Sequence, residues 1–383
     1  EDSNGFYHAY NTINLDLKSK SADVKHLPTM LEGQVAALSS GQLDVDNVIT
    51  LLESLFDSKL YREDQHSFIL YPVKDTTPFL QKNIIQPQSI SKSSLLTTLL
   101  QKKDFTIIEQ DADAQIRFRP YFRNAFDLQA ALHQLKNNED YRNLVEQEQD
   151  LVLEIFEEVF DHRNYTGRSG MMFSYEGIGS IYWHMVSKLL LAVQENYFRA
   201  IRMNEPLEKV KKLGQLYYDI RSGLSAEKTP EEYGAFPYDP YSHTPAHSGA
   251  QQPGMTGQVK EEILTRFGEL GCLVVQSCIK FEPRLLKRNE FLTTKQVFEY
   301  YDVFQQKQHL TIQKGQLAYT FCQVPIIYTM SDTESRIKLN NNDGSRIELE
   351  SNRLDKKQSS HIFNRDNIIT QINVFIHTKS LFD

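Results

Sequence analysis

The sequence predicts a mainly helical region followed by a β-rich region, on the basis of three patterns. Apolar residues recur at three- and four-residue steps over most of residues 1–271, as in amphipathic helices. From about Cys272 onwards, alternating and β-branched runs indicate strands. The run RIKLNNNDGSRIELE (residues 336–350) has two alternating segments around an Asp-Gly turn and predicts a hairpin. We therefore expect a helical domain over residues 1–271 and an antiparallel β domain over residues 272–383.

The helical periodicity can be divided into separate elements. Residues 26–41 and 44–60 predict an antiparallel helix pair joined by a glycine turn. Further helices are predicted over residues 91–100, 125–135, 143–160, 179–201, 206–223 and 257–270. The interval 226–253 lacks periodicity and is rich in Pro, Gly, His, Tyr and Ser. A loop of this length and aromatic content is expected to be functional.

Composition excludes several classes of function. The chain has 383 residues and a net charge of −8, which argues against binding to nucleic acid or to anionic membranes. No apolar run approaches the roughly 20 residues that a membrane-spanning helix needs. Three cysteines without metal-type spacing indicate a reducing, cytoplasmic compartment and no metal site. The first residue is Glu and no signal peptide follows, so we expect a processed chain or a fragment of a longer one.

The stretch YEGIGSIYWHM (residues 175–185) is the first candidate site. Its glycines permit a sharp turn, and Ser180 is a suitable N-cap for a helix that begins at the next residue. His184 would then lie in the first helical turn, where free N–H groups and the helix dipole favour anions. Arg168 is near enough in sequence to contribute a guanidinium group. The alternative is that Trp183 simply packs and that His184 satisfies a buried polar neighbour.

A second candidate site lies at the start of the next predicted helix. Thr256 and Gly257 open this helix after a glycine-containing loop, so a hydroxyl and exposed N–H groups would form a small anion cradle. The alternative is an ordinary threonine N-cap. Two helix starts of this kind make a shared anion site more plausible than either does alone.

The amino-terminal stretch EDSNGFYHAYN is the third candidate. Asp2 could act as a general acid, and the aromatic side chains that follow it could line a sugar subsite. The alternative is an exposed chain end without function.

Taken together, these stretches resemble the inverting glycoside phosphorylases related to cellobiose phosphorylase, and most of all the large β-1,3- or β-1,2-oligoglucan phosphorylases. EGIGSIYWH (residues 176–184) is similar to the family segment Glu-Asn-Gly-Gly-Ile-Phe-x-His, which carries a phosphate-binding histidine. Met255-Thr256-Gly257-Gln258 resembles the phosphate-binding segment Trp-x-Thr-Gly-Thr. Asp239-Pro240-Tyr241 resembles a Glu-Pro-Tyr turn. Asp2-Ser3-Asn4-Gly5 resembles the general-acid motif Asp-Trp-Asn-Asp-Gly but is one residue shorter.

The resemblance implies the later half of an (α/α)6 barrel followed by a C-terminal antiparallel β-sandwich. It implies that Asp2 is the general acid and that His184, Thr256 and Gly257 bind phosphate, with Arg168 in place of a second family histidine that has no clear counterpart. Contacts to sugar hydroxyls are expected from Tyr175, Glu176, Tyr241, His243 and Gln252.

The implied reaction is phosphorolysis of β-linked glucose oligosaccharides, with β-1,3-glucan as first choice and β-1,2-glucan as second. Phosphate would be a co-substrate, and no cofactor is expected. The full-length protein, with an N-terminal region absent here, is expected to be a homodimer. Two alternatives stay open, namely an inverting hydrolase of the same fold, which would need a second carboxylate, and a non-catalytic carbohydrate-binding or assembly fragment.

Overall fold

The computed structural model describes residues 5–9, 11–16, 20–26, 29–72, 78–160, 162, 181–224, 227–228, 256–333 and 335–382. These residues form two compact units. The first unit combines Glu1–Tyr71 with Ile181–Asp383, and the second is Pro72–Ser180. The second unit is therefore inserted into the chain of the first.

The helices are numbered in chain order. They are α1 (Leu31–Ser39), α2 (Val45–Phe56), α3 (Phe79–Lys82), α4 (Pro87–Lys92), α5 (Ser94–Gln101), α6 (Ala125–Leu135), α7 (Glu139–Phe160), α8 (Trp183–Arg202), α9 (Leu207–Arg221), α10 (Thr256–Leu270) and α11 (Lys356–Asn364). No helix in the described part of the chain is long and apolar enough to cross a membrane.

The strands are numbered in the same way. They are β1 (Asn11–Asp16), β2 (Ser21–His26), β3 (Tyr61–Arg62), β4 (Ser67–Phe68), β5 (Ile108–Gln110), β6 (Ile116–Phe118), β7 (Cys272–Val275), β8 (Cys278–Phe281), β9 (Gln296–Tyr301), β10 (Lys307–Ile312), β11 (Gln316–Phe321), β12 (Val324–Ser331), β13 (Arg336–Asn341), β14 (Arg346–Leu349) and β15 (Ile369–His377).

The helices of the first unit pack as an alternating array around one apolar core. Helices α8 and α9 are antiparallel, because Gln194 in the middle of α8 contacts Tyr217 near the end of α9. Helices α2 and α9 lie side by side, held by an ion pair of 2.7 Å between Lys209 Nζ and Asp46 Oδ2. The core itself is made of aliphatic side chains on the facing sides, such as the fully buried Leu52 and Leu189. Among the described residues this array is open and does not close into a barrel.

The carboxyl-terminal part of the first unit is built on a five-stranded sheet with the order β11-β12-β15-β13-β14. One face of this sheet shares a core with β8 and α11, in which Ile279, Tyr328 and Ile362 are fully buried. The other strand pairs that the structure describes are two-stranded. The sheet is thus covered on this face by a hairpin and a helix rather than by a second large sheet.

The second unit has its own core. Helices α3 to α7 and the β5–β6 hairpin enclose a cluster in which Leu95, Phe118, Leu128 and Phe156 are buried. At the start of α5, the carboxylate of Glu148 on α7 accepts hydrogen bonds from the Ser93 hydroxyl and the Leu95 N–H, at 2.7 and 2.9 Å. These bonds satisfy donors that the first turn of a helix leaves free.

The predicted order of helices first and strands later is confirmed in outline, with the helix over residues 125–135 and the hairpin of β13 and β14 found as expected. The prediction of a wholly antiparallel β region is wrong at one place, because β12 and β15 pair in parallel. Two hairpin strands and α11 separate β12 from β15 in the chain, which provides the crossover that parallel pairing needs. The domain boundary predicted at residues 271/272 stays a prediction.

Candidate functional site

The starts of α1 and α8 lie at the same end of the helical array. The N–H of Leu31, the first residue of α1, donates to the carbonyl of Leu70 at 2.7 Å. The neighbouring Ile69 pairs with Ile181 through an isolated antiparallel bridge, two residues before α8 begins. Short main-chain contacts therefore link the two helix starts.

Helix α10 runs parallel to α8 and brings its own start to this end. His184, the second residue of α8, has its Nε2 3.4 Å from Oε2 of Glu261 on α10. Further along both helices, the Gln194 amide donates to the carbonyl of Thr265 at 2.8 Å. Thr256 precedes Glu261 by five residues, or about 7.5 Å along the helix axis. The first turn of α8 therefore lies beside the second turn of α10.

The His184 side chain is exposed enough to contact a ligand. Its side chain is 21% exposed, and the ring of Tyr182 stands edge-on to it at 5.9 Å between centroids. The Nε2 atom is buried and has no hydrogen-bond partner among the described residues. The first turn of a helix also presents main-chain N–H groups, which favour an anion next to the partly exposed imidazole.

Glu261 is a site residue that sequence reasoning did not identify. Its side chain is only 3% exposed, and Oε1 lies 3.2 Å from Nζ of Lys260. It begins a buried polar row that continues at four-residue steps with Thr265 and Glu269, each about 2% exposed or less. The opposite face of α10 exposes apolar side chains, namely Val259, Ile263 and Leu264. Before its last turn, α10 thus has polar side chains on its buried side and apolar ones exposed, the reverse of the usual pattern, whereas Leu270 at its end is buried in an apolar core.

A buried polar network holds the far end of α10 in place. Glu269 accepts a hydrogen bond from the Tyr217 hydroxyl at 2.7 Å and pairs with Arg266 Nη1 at the same distance. Arg266 also pairs through Nη2 with Glu290, at 2.6 Å, just beyond the β7–β8 hairpin. Burial, followed by the nearby Glu269 carboxylate, raises the pKa of Tyr217 well above its ordinary value. The network fixes α10 against α9 and against the carboxyl-terminal part of the unit.

Trp183 has a structural role, as its apolar character predicts. The Nζ atom of Lys228 lies 5.1 Å from the centre of its ring. Lys228 is 8% exposed and donates to the carbonyl of Gln65 at 2.5 Å. This cation–π contact ties the first residue of α8 to the body of the unit.

The segment that follows Asp2 is anchored on α1. The Tyr7 N–H donates to the Gln34 side-chain oxygen at 2.9 Å, and the Gln34 amide donates back to the Tyr7 carbonyl at 2.8 Å. A Cβ at Gly33 would lie 2.6 Å from the Tyr7 carbonyl oxygen, so this close approach requires glycine. Tyr7 is thus fixed next to the start of α1.

Of the predicted site residues, His184 lies beside α10 at Glu261, and Thr256 and Gly257 lie in the first turn of α10. Helix α8 begins at Trp183 with Tyr182 as N-cap, two residues later than predicted, and no side chain caps it. The remaining predicted residues lie outside the described residues: Asp2, Arg168, Tyr175, Glu176, Tyr241, His243 and Gln252. No cluster of His, Cys, Asp and Glu suited to a metal ion occurs in the described part of the chain.

One family model matches the chain. Residues 76–163 match a model described as GH149 phosphorylase insertion domain 2. This match lies within the second structural unit, Pro72–Ser180, which is itself inserted between two segments of the first unit. A comparison with curated proteins finds no match. The chain is thus similar to glycoside phosphorylases of the GH149 kind in its insertion unit, and this supports an enzyme of the glycoside phosphorylase class.

Proposed function

We propose that this chain is the later part of an inverting glycoside phosphorylase that acts on β-linked glucose oligosaccharides. The observation that carries the reaction class is the match of residues 76–163 to a phosphorylase insertion domain. The alternating helices of the first unit would form the later half of an (α/α)6 barrel. The substrate would be a β-1,3-glucan in the first instance and a β-1,2-glucan in the second.

Phosphate is the nucleophile in this proposal, and the helix starts are its binding site. A phosphorylase needs no second carboxylate to activate water, because phosphate is already a competent nucleophile. It needs preorganised donors that hold phosphate in line with the anomeric carbon. The contact of His184, in the first turn of α8, with Glu261 of α10 supports such a cradle, because it brings the two helices together near their starts. Thr256, Gly257 and Arg168 would complete it.

The proposed step is a single displacement. A phosphate oxygen forms a bond to the anomeric carbon while the glycosidic carbon–oxygen bond breaks, and Asp2 gives its proton to the departing oxygen. Inversion converts the β-linkage into α-glucose 1-phosphate and leaves a glucan shortened by one unit. In support of this role, Tyr7, five residues further along the chain, is held on α1.

The other parts of the proposal concern substrate contacts and assembly. Tyr175, Glu176, Tyr241, His243 and Gln252 would contact sugar hydroxyls. Phosphate would be consumed as a co-substrate, with no further cofactor, and the full-length enzyme would act as a homodimer.

The reaction class is tested by incubating the full-length protein with laminari- and sophoro-oligosaccharides, with and without phosphate. We expect glucose 1-phosphate only when phosphate is present, and the preferred oligosaccharide reports the linkage. Free glucose released at the same rate without phosphate would instead identify a hydrolase. No turnover of either series in the presence of phosphate would contradict the proposal.

The phosphate site is tested with His184→Ala. Loss of one charge-assisted hydrogen bond should raise the KM for phosphate by about 10- to 100-fold. His133→Ala is a matched control, because His133 is exposed on α6 in the other unit and should leave this KM unchanged. Wild-type kinetics in the His184→Ala variant would show that the phosphate binds elsewhere.

A further inference from the structure

A buried carboxylate next to the proposed phosphate site needs an explanation. Glu261 Oε2 lies 3.4 Å from His184 Nε2, and the Glu261 side chain is 3% exposed. A carboxylate in this position repels an incoming phosphate by Coulomb interaction, more strongly than it would in water. Burying it also carries a desolvation cost unless a partner compensates. A site whose only role was to bind an anion would bind it more tightly without this residue.

The partner of the buried oxygen is His184. The other oxygen, Oε1, faces Nζ of Lys260 at 3.2 Å, but the Lys260 side chain is 69% exposed, so its charge is well screened by solvent. In the described part of the chain, neither Glu261 Oε2 nor His184 Nε2 has a hydrogen-bond partner. The contact of 3.4 Å is thus the closest approach of these two buried atoms to an opposite partner that the described residues show.

We propose that Glu261 is a positioning residue that holds the His184 ring with Nε2 turned inward and supplies the counter-charge for its protonated form. The ring then presents its other nitrogen, Nδ1, to the phosphate, with a proton to donate. The ring of Tyr182 also packs edge-on to the imidazole, at 5.9 Å between centroids. This inference rests on the proposed function, because it assigns a role to a neighbour of the phosphate-binding histidine.

The buried polar row of α10 explains how Glu261 is kept in place. Glu269, two turns further along the same face, is fixed by Tyr217 and Arg266. Thr265, between the two carboxylates, offers its carbonyl to Gln194 of α8. Because a helix is stiff over two turns, these contacts set the rotation of α10 about its axis and so direct Glu261 towards His184.

The test is calorimetric titration of the full-length protein with inorganic phosphate. Glu261→Gln removes the charge but keeps the size, and we expect about tenfold weaker phosphate binding, as for other residues that orient a ligand-binding histidine. Glu262→Gln is the matched control, because Glu262 is the next residue on the helix and faces Arg221 at 3.9 Å. If Glu261 only repels phosphate, Glu261→Gln will bind phosphate more tightly than the wild type, and this result would overturn the proposal.

A double-mutant cycle separates this inference from the proposed function. In a His184→Ala background, Glu261→Gln should cause no further loss of affinity, because its effect passes through the histidine. An equal loss in both backgrounds would overturn the positioning role. If the wild type does not bind phosphate, or His184→Ala binds it normally, the phosphate site itself is wrong. If His184→Ala binds weakly and Glu261→Gln binds normally, only the role of Glu261 is wrong.

If Glu261→Gln does not fold, Glu261→Asp tests the positioning role of Glu261 instead. It keeps the charge but withdraws the carboxylate from Nε2 by about one methylene, so we expect phosphate affinity between that of the wild type and that of His184→Ala. Affinity equal to the wild type would show that the distance to His184 does not matter, which contradicts the proposal.

Discussion

The crossing of α8 and α10 at Gly268 is so close that a single methyl group should disrupt it. A Cβ at Gly268 would lie 2.0 Å from the Gln194 side-chain oxygen and 2.4 Å from its Cδ. Gln194 is 4% exposed, and its amide donates to the Thr265 carbonyl at 2.8 Å and lies 3.3 Å from the Tyr217 hydroxyl. In the variant Gly268→Ala, the glutamine must leave this position and give up these contacts.

The free energy of unfolding should fall by about 3 kcal/mol in this variant. Alanine in place of glycine within a helix stabilises it by about 1 kcal/mol. Two larger effects oppose this gain, since overpacking a tight contact costs about 1–3 kcal/mol and leaving a buried amide unpaired costs about 1–3 kcal/mol.

Urea unfolding followed by the fluorescence of Trp183 measures this change. Trp183 is the only tryptophan and lies at the start of α8, so its signal reports the first unit. The control is the same substitution in a Gln194→Ala background, where the obstacle is absent and Gly268→Ala should be neutral or slightly stabilising. A Gly268→Ala protein as stable as the wild type would refute the reasoning, as would an equal loss in both backgrounds.

Three further predictions concern stability. Tyr217→Phe removes a donor from the buried Glu269 carboxylate and should lower the free energy of unfolding in urea by about 1–3 kcal/mol. Burial raises the pKa of Tyr197 to about 12, so the folded state keeps a proton that the unfolded chain loses above about pH 10. The stability that comes from this pKa difference is present below about pH 10 and is lost as the pH rises towards 12. In the wild type the urea midpoint should therefore decline between these pH values, and in Tyr197→Phe it should decline less. Asp355→Ala removes the capping box that Asp355 forms with Gln358 at the start of α11 and should lower stability by about 1 kcal/mol, measured by circular dichroism in urea. An unchanged urea midpoint in Tyr217→Phe or in Asp355→Ala would contradict these expectations. So would a midpoint that declines with pH in Tyr197→Phe as steeply as in the wild type.

Local patterns in the sequence were sufficient to predict most helices and the hairpin of β13 and β14. The apolar period of a helix depends only on the residues of that helix. The Asp-Gly turn fixes the register of the hairpin, and Gly344 in this turn has a positive φ of 82°. The β9–β10 hairpin was not predicted. Several of its apolar side chains, such as Val297 and Tyr301, are exposed, so its strands lack the usual apolar and polar alternation between two faces.

The inserted unit was missed for a different reason. Helical periodicity resumes inside this unit and again after it, because a change of core does not change the period of the helices that form it. The only local signal is the pair of prolines, Pro72 and Pro78, near the point where the chain leaves the first unit. Such residues indicate a break in regular structure but not that a separate core follows.

In the candidate site, His184 could be predicted but Glu261 could not. The glycine turn before His184 is a local signal for a helix start, and the structure confirms that His184 lies in the first turn of α8. Glu261, by contrast, has the sequence appearance of a solvent-facing carboxylate on an amphipathic helix. Its burial depends on how α10 packs against other helices, where Gln194 bonds to Thr265 and Tyr217 bonds to Glu269 on the same buried side, and no pattern within α10 shows these contacts.

Helix α10 connects the stability of the first unit to its candidate site. Gly268 lies seven residues after Glu261, or about 10.5 Å along the axis of a stiff helix. A methyl group at Gly268 displaces the Gln194 side chain from the Thr265 carbonyl, so α10 loses a contact that holds it against α8 next to Glu261 and His184. Phosphate binding should therefore weaken in the folded Gly268→Ala protein and recover when Gln194→Ala removes the obstacle. Recovery of stability without recovery of phosphate binding would show that the two ends of α10 are not coupled.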